Sequence, residues 1–371
     1  MQNRKHIVVL FITTLFAIFF SGFIEYQNVL YSNSDLHKYI AMAKSFPDIN
    51  TEVIKPYVYR IGAPWLAGLL PFSIPVNFFL LNSIGLFLLA LSFYFFLTEY
   101  GITGRVAVIT TVVFQFNRYF FQFLAWNYFQ LPDTLGLASL FYAMVLIRRK
   151  NYLPFAILLF TGILIKEYVL MIIPAGVVLL YELKSEKKEY LVFAATAIFT
   201  LFIFVTLRQV IPAEKGEGLL SQYITQIVYY SKPLLLVKKF LIPFTPFVLL
   251  PVIFYKELID LFKNNKHLLV YVLTVILLSF FGEPERLITP LAPVFFLFLS
   301  KIISSCFFYN HTDKIREKKE LIVIIGMTVI GSLYHLWGLI LLPDKLYSLV
   351  FTIVTTLIVT VVFLLLKRKN S

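Results

Sequence analysis

The chain has 371 residues, of which 59% are hydrophobic and only 14% charged, and it carries a net charge of +13. A water-soluble domain has about 25% charged residues, so this composition excludes a soluble fold. The positive charge does not point to nucleic acid either. Lys and Arg come as short clusters at the ends of apolar runs (Arg4-Lys5, Arg148-Arg149-Lys150, Lys184 to Lys188, Lys314 to Lys319, Lys367-Arg368-Lys369), which is how a membrane protein fixes its orientation.

The apolar runs lack the period-2 alternation of barrel strands, so they predict helices. Basic residues precede a first run at 7–24. A cleaved leader would have a shorter core and a small-residue cleavage site, so this run reads as an uncleaved span with a cytoplasmic N-terminus. Further spans are predicted at 75–98, 105–122, 131–147, 152–165, 168–182, 190–210, 241–256, 268–281, 287–304, 321–341 and 346–366. Residues 152–182 would reach about 46 Å as one helix, against a hydrocarbon core of roughly 30 Å. A single span there would also turn every later basic cluster outward, against the positive-inside tendency. A hairpin of two short helices keeps most Lys and Arg inside. The expectation is an all-α polytopic membrane protein of about twelve transmembrane helices, with both termini cytoplasmic. It forms a single multispanning domain over 1–371, with no soluble domain.

In this topology the connections 25–74, 123–130, 166–167, 211–240, 282–286 and 342–345 share the outer face. Asp35, Arg60, Asp133, Lys166, Glu167, Glu283, Glu285 and Arg286 then lie on or near one face, where charges avoid most of the cost of the bilayer centre. Within 25–74, Leu36, Tyr39, Ile40 and Ala43 recur at helical spacing, with Asp35, Lys38 and Lys44 off that stripe. This predicts an amphipathic interfacial helix beginning at Ser34-Asp35. Asp35 there either stabilises the first turn through the dipole or does chemistry. A second short segment, "PYVYRIGAPWLAGLLP", places Arg60 either against lipid phosphate or in a site. "NYFQLPDTLGLASL" sets Asp133 in the first turn of a span, where an acid suits the helix dipole. In "ILIKEYVL", Lys166 and Glu167 are adjacent, so they form a turn that faces two directions rather than a pair. "SFFGEPERLITP" gathers Glu283, Glu285 and Arg286.

Other chemistries are set aside. Phosphate-loop, dinucleotide-binding and nucleophile-elbow motifs are absent. His6, His37, His267, His311 and His335 are scattered without metal-ligand spacing. The single Cys306 allows no intrachain disulfide and packs in an apolar helix.

The outer-loop stretch "SDLHKYIAMA", "PYVYRIGAPWLAGLLP", "LPDTLGLASL" and "LIKE" together resemble the GT-C class of integral-membrane glycosyltransferases, including lipid-phosphate-sugar-dependent mannosyltransferases and their bacterial relatives. The likeness spans roughly residues 1–185. The resemblance implies transfer of a sugar from a polyprenyl-phosphate donor to an acceptor hydroxyl at the non-cytoplasmic face of the plasma membrane. Asp35 would be the general base. Arg286, Lys166 and Arg60, in that order, would hold the departing phosphate, and Asp133, Glu167, Glu283, Glu285, His37 and Tyr39 would complete the substrate site. The implied partners are a lipid-linked sugar donor, membrane lipids and a glycan, lipid or protein acceptor, without nucleic acid. The paired acids that many members carry are absent beside Asp35, which leaves a divalent cation open as cofactor. The rival readings are a secondary transporter, which would carry inverted repeats and midplane polar groups, and a polysaccharide polymerase or ligase of another fold, whose large Arg- and His-rich outer loop is missing from 211–240. A non-catalytic scaffold is a third.

Overall fold

The computed structural model describes residues 2–24, 35–212, 219–281, 287–307, 323, 326, 328–330 and 345–370. The chain is an all-α membrane protein, and no strand occurs among the described residues. Among those residues six helices are long and apolar enough to cross a bilayer, or up to seven if a pair bent by 105° at Asn265 counts as one span. Their outward flanks carry exposed apolar residues such as Phe19, Ile84 and Ile198, side chains that lipid rather than water accommodates.

Helix α1 (Gln2–Ser21) is followed by the short α2 (Asp35–Lys44) and α3 (Gly62–Leu69). Then come α4 (Ile74–Glu99), α5 (Gly104–Gln115), α6 (Phe123–Trp126), α7 (Leu131–Arg148), α8 (Tyr152–Ile165), α9 (Ile172–Glu182) and α10 (Lys187–Val210). The second half contains α11 (Leu219–Tyr230), α12 (Pro233–Leu241), α13 (Leu250–Ile253), α14 (Tyr255–Asn264), α15 (Lys266–Leu278), α16 (Ala292–Phe307) and α17 (Lys345–Asn370). Local chemistry sets many of the ends. Pro75 and Pro132 occupy the first turns of α4 and α7, where a missing N–H costs nothing. Helix α10 opens on a reciprocal box in which the Glu186 and Glu189 side chains each accept the other's backbone N–H.

Helix α7 is the ruler of the bundle: its 18 residues span about 27 Å. At its start lies Asp133, bound to Lys166 of the α8–α9 connection. At its finish the Arg148 guanidinium sits 4.3 Å over the Tyr100 ring, and Tyr100 Oη bonds to His267 Nε2 at 2.6 Å. His267 Nδ1 is hydrogen-bonded to Glu182. Helices α8 and α9 therefore leave the Arg148 end and return to it, with Lys166 at the opposite tip, as the hairpin expectation required. Helix α10 repeats the crossing, from the Lys150–Glu189 pair to Arg208 over the Tyr59 ring.

Three segments differ from the sequence-based expectation. The predicted 105–122 helix stops at Gln115 and resumes as a π turn over Arg118–Gln122. There the Asn117 side chain captures the N–H groups of Tyr119 and Phe120, both at 3.0 Å, and competes with the helical ladder. Residues 241–256 do not form one helix. Pro243, Pro246 and Pro251 break the run into a 3-10 turn at Ile242–Phe244 and the short α13. The basic stretch that follows is the amphipathic helix α14 rather than a simple loop. The expected span at 321–341 lies largely outside the described residues.

The apolar core runs the length of the α4–α7 contact, where Phe93, Phe114 and Phe141 pack together; Phe93 and Phe114 also meet Phe296 of α16. Two smaller apolar clusters seat α2, α3 and the 3-10 turn Tyr57–Tyr59 on the end where Asp133 lies.

Candidate functional site

Helix α2 buries Leu36, Tyr39 and Ala43 of the expected stripe together with Met42, while Ile40 is only half-buried. Gly68 lets α3 press close against it, since a Cβ there would come within 2.5 Å of the Ala43 carbonyl oxygen. This packing presents Asp35 at the first turn of α2 and Tyr39 one turn further on. The Tyr57 hydroxyl donates to Asp35 Oδ1, and Gln130, just before α7, donates its amide to Oδ2 at 3.5 Å. Lys38 approaches the same carboxylate at 3.8 Å and stands 4.4 Å above the Tyr57 ring.

Arg60 ends the 3-10 turn and is only 7% exposed. Its Nε donates to Glu167 at 2.9 Å and Nη2 to the second oxygen, a bidentate fork. Nη1 donates to Tyr39 Oη at 3.1 Å. Lys166 is extended (φ −158°, ψ 124°) between α8 and the 3-10 turn Glu167–Met171, so consecutive side chains diverge. Glu167 goes to Arg60, and Lys166 turns to Asp133, with Nζ 3.1 Å from Oδ1. The Tyr168 hydroxyl closes the arrangement by donating to the Asp133 carbonyl. Gly136 makes room for this tip. It lies one turn from Asp133, and a Cβ there would stand 2.8 Å from Lys166 Cβ. The start of α7 is itself fixed by Thr134, which donates to Asn82 of α4 at 2.7 Å.

Removing single charges from water costs several kcal/mol each, so the buried Arg60, Asp133 and Lys166 require the partners they have. Burial opposes ionisation of Glu167, but the charge and hydrogen bonds of Arg60, with help from Lys166, hold its carboxyl at about 2. Burial likewise disfavours the Arg60 cation, and Glu167 outweighs it, raising the guanidinium still further. Burial and then the Asp35 charge push the Tyr57 phenol well above its ordinary range, which keeps it a hydrogen-bond donor.

The structure thus brings together Asp35, Tyr39, Arg60, Asp133, Lys166 and Glu167, drawn from three separate stretches of chain. His37 is half-buried on α2, and its Nε2 has no hydrogen-bond partner among the described residues. Glu283, Glu285 and Arg286 lie outside the described residues. Sequence reasoning missed Tyr57, Gln130 and Tyr168, and also Arg208. Tyr57 was signalled by its place three residues before Arg60, and Arg208 by being the lone charge late in an apolar run. Neutral Gln130 gave no signal.

Hydrogen-bond donors approach both oxygens of Asp35, the nearby carboxylates Asp133 and Glu167 are tied to Lys166 and Arg60, and no group of three His, Cys, Asp or Glu side chains placed to hold a metal occurs among the described residues. No protein-family model matches the chain, and no curated protein matches it in sequence.

Proposed function

We propose that this chain is a GT-C-like membrane glycosyltransferase that moves a sugar from a polyprenyl-phosphate donor to an acceptor hydroxyl. The single observation that carries the reading is the meeting of Asp35 with the Arg60–Glu167 and Lys166–Asp133 pairs at one end of the bundle. Most buried polar residues brace helices; here they surround one carboxylate whose orientation is set by a tyrosine and an amide.

In the proposed reaction Asp35 accepts the proton of the acceptor hydroxyl. The freed oxygen bonds to the sugar's anomeric carbon as the bond from that carbon to the phosphate oxygen breaks, and the phosphate leaves with the electron pair. A phosphate is a good leaving group, so a second carboxylate acting as acid is not needed, unlike in glycosidases. Asp35 then returns its proton to water.

The topology that goes with this reading has about twelve spans, both termini cytoplasmic, and the Asp35 end on the outer face of the plasma membrane. The alternation of α7, α8, α9 and α10 between the Asp133 and Arg148 ends supports it. The test is to incubate the purified protein with a panel of lipid-phosphate sugars and candidate acceptors and to follow donor consumption. Consumption by the parent and its loss in a well-folded Asp35→Asn variant are expected. No consumption of any donor, or full turnover by Asp35→Asn, sinks the proposal or the role of Asp35 respectively.

A further inference from the structure

The cations of the site are unequally occupied. Lys38 faces Asp35, Arg60 is forked onto Glu167, and Lys166 is bound to Asp133. These are three cations against three carboxylates. A fourth cation, Arg208, stands beside the same cluster, over the ring of Tyr59, the residue next to Arg60. Its guanidinium lies 4.8 Å over the Tyr59 ring and 3.5 Å over the Phe204 ring. Its only described hydrogen bond is from Nη1 to the Phe204 carbonyl, one turn back on its own helix, at 3.3 Å. No carboxylate lies within ion-pair distance of it among the described residues.

The platform under this guanidinium is built. Tyr59 is buried in an apolar cluster with Met42, Val53, Val58, Ile61 and Ile211, and Leu207 packs against that cluster from α10. Arg208 is thus held over two aromatic rings, with N–H groups left for a ligand. The helix around it exposes Phe202, Val205 and Val210, an apolar flank suited to lipid hydrocarbon. A ligand reaching Arg208 from that side meets an apolar wall first and a planar cation at its end.

We infer that Arg208 is the guanidinium that binds the phosphate of an amphiphilic substrate at this site, in place of Arg60 and Lys166, whose charges are spent inside the protein. A planar fork of N–H donors matches phosphate oxygens better than a point charge. Among the described residues the cluster holds four cations, Lys38, Arg60, Lys166 and Arg208, against the carboxylates Asp35, Asp133 and Glu167, a balance that suits one anionic group. This inference rests on the transferase reading for what the phosphate carries, and its test separates the two.

The full-length protein in nanodiscs is titrated with a short prenyl phosphate that holds no sugar, with the corresponding prenol, and with inorganic phosphate as competitor. The parent is expected to bind the prenyl phosphate more tightly than the prenol. Arg208→Gln should weaken prenyl phosphate binding by about tenfold or more and leave prenol binding alone. Arg208→Lys, which keeps the charge but loses the fork, should fall between, and it supplies the test if the glutamine variant does not fold. Competition by inorganic phosphate in the parent and not in Arg208→Gln assigns the recognition to the phosphate itself; its absence assigns it to phosphate presented on the lipid. Prenyl phosphate binding unchanged within about twofold in Arg208→Gln, or equal binding of prenol and prenyl phosphate by the parent, overturns the inference. Sugar transfer that survives intact in Arg208→Gln removes Arg208 and leaves the transferase reading standing. Arg208-dependent binding in a parent that transfers no sugar does the reverse.

Discussion

The Tyr57 hydroxyl donates a hydrogen bond to Asp35 Oδ1, across 22 residues of the connection between α1 and α4. The phenol ring lies between Lys38 and Arg60, at 4.4 and 5.2 Å, and edge-on to Tyr39 at 5.5 Å. Tyr57 therefore orients the proposed base through a direct bond to its carboxylate.

A hydrogen bond to the ionised carboxylate favours that form. Tyr57→Phe removes it, so the acidic limb of the pH–rate profile should move to higher pH and the rate near neutrality should fall about tenfold. A Tyr57 that served packing alone would lower the rate without moving the limb. The comparison of limb positions is the measurement.

Glu167 gives a second pH signature. Its carboxyl is held at about 2 in the folded chain, below the range of an exposed glutamate. A depressed carboxylate stabilises the fold above its ordinary pKa, and that contribution is lost as pH falls toward the folded value. The thermal midpoint should hold from neutrality to about pH 5 and decline below it. In Glu167→Gln, Arg60 stays buried without its fork, at a cost of about 3 kcal/mol. That variant should be less stable at neutral pH and show a flatter acid dependence. An acid limb as steep as the parent's would remove Glu167 as its source.

Much of this arrangement is legible in the amino-acid sequence. Uninterrupted apolar runs with charged ends located α4, α7, α8 and α10 closely, because lipid forces backbone groups into helices. The adjacency of Lys166 and Glu167 was enough to separate their directions, and the extended Lys166 backbone carries out that separation. What stayed hidden depended on competition between local interactions. The Asn117 side chain ends α5 early, three prolines fragment 241–256, and α14 disguises its apolar face within a basic run. The partners of Asp35 were hidden for another reason. Tyr57 and Gln130 are neutral, and no periodicity marks a hydrogen bond between residues 95 positions apart.

Gly136 tests whether the hairpin tip must close onto α7. A Cβ at this position would meet Lys166 Cβ at 2.8 Å and the Tyr168 ring at 2.9 Å, so the tip must lift. Gly136→Ala should cost about 1 kcal/mol and Gly136→Val about 3, read as successive drops in thermal midpoint. Transfer should fall more steeply than stability, because lifting the tip separates Lys166 from Asp133 and Glu167 from Arg60. A valine variant with parental activity and stability would mean that the tip is not held as described.

The proposed orientation of the bundle can be read by labelling. Asn151 and Glu186 flank the Arg148 end, whereas Thr51 lies in the connection that carries Arg60, and all three are exposed. Single cysteines at these positions, in a chain whose buried Cys306 is replaced by serine, are treated with a membrane-impermeant maleimide. In intact cells Thr51→Cys should react, while Asn151→Cys and Glu186→Cys should react only after permeabilisation. Equal behaviour of the last two follows from α8 and α9 crossing in opposite directions. Labelling of Asn151→Cys and Glu186→Cys from opposite sides would require one crossing instead of two. It would also reverse the side on which every later basic cluster lies, against the retention of positive charge that orients such chains.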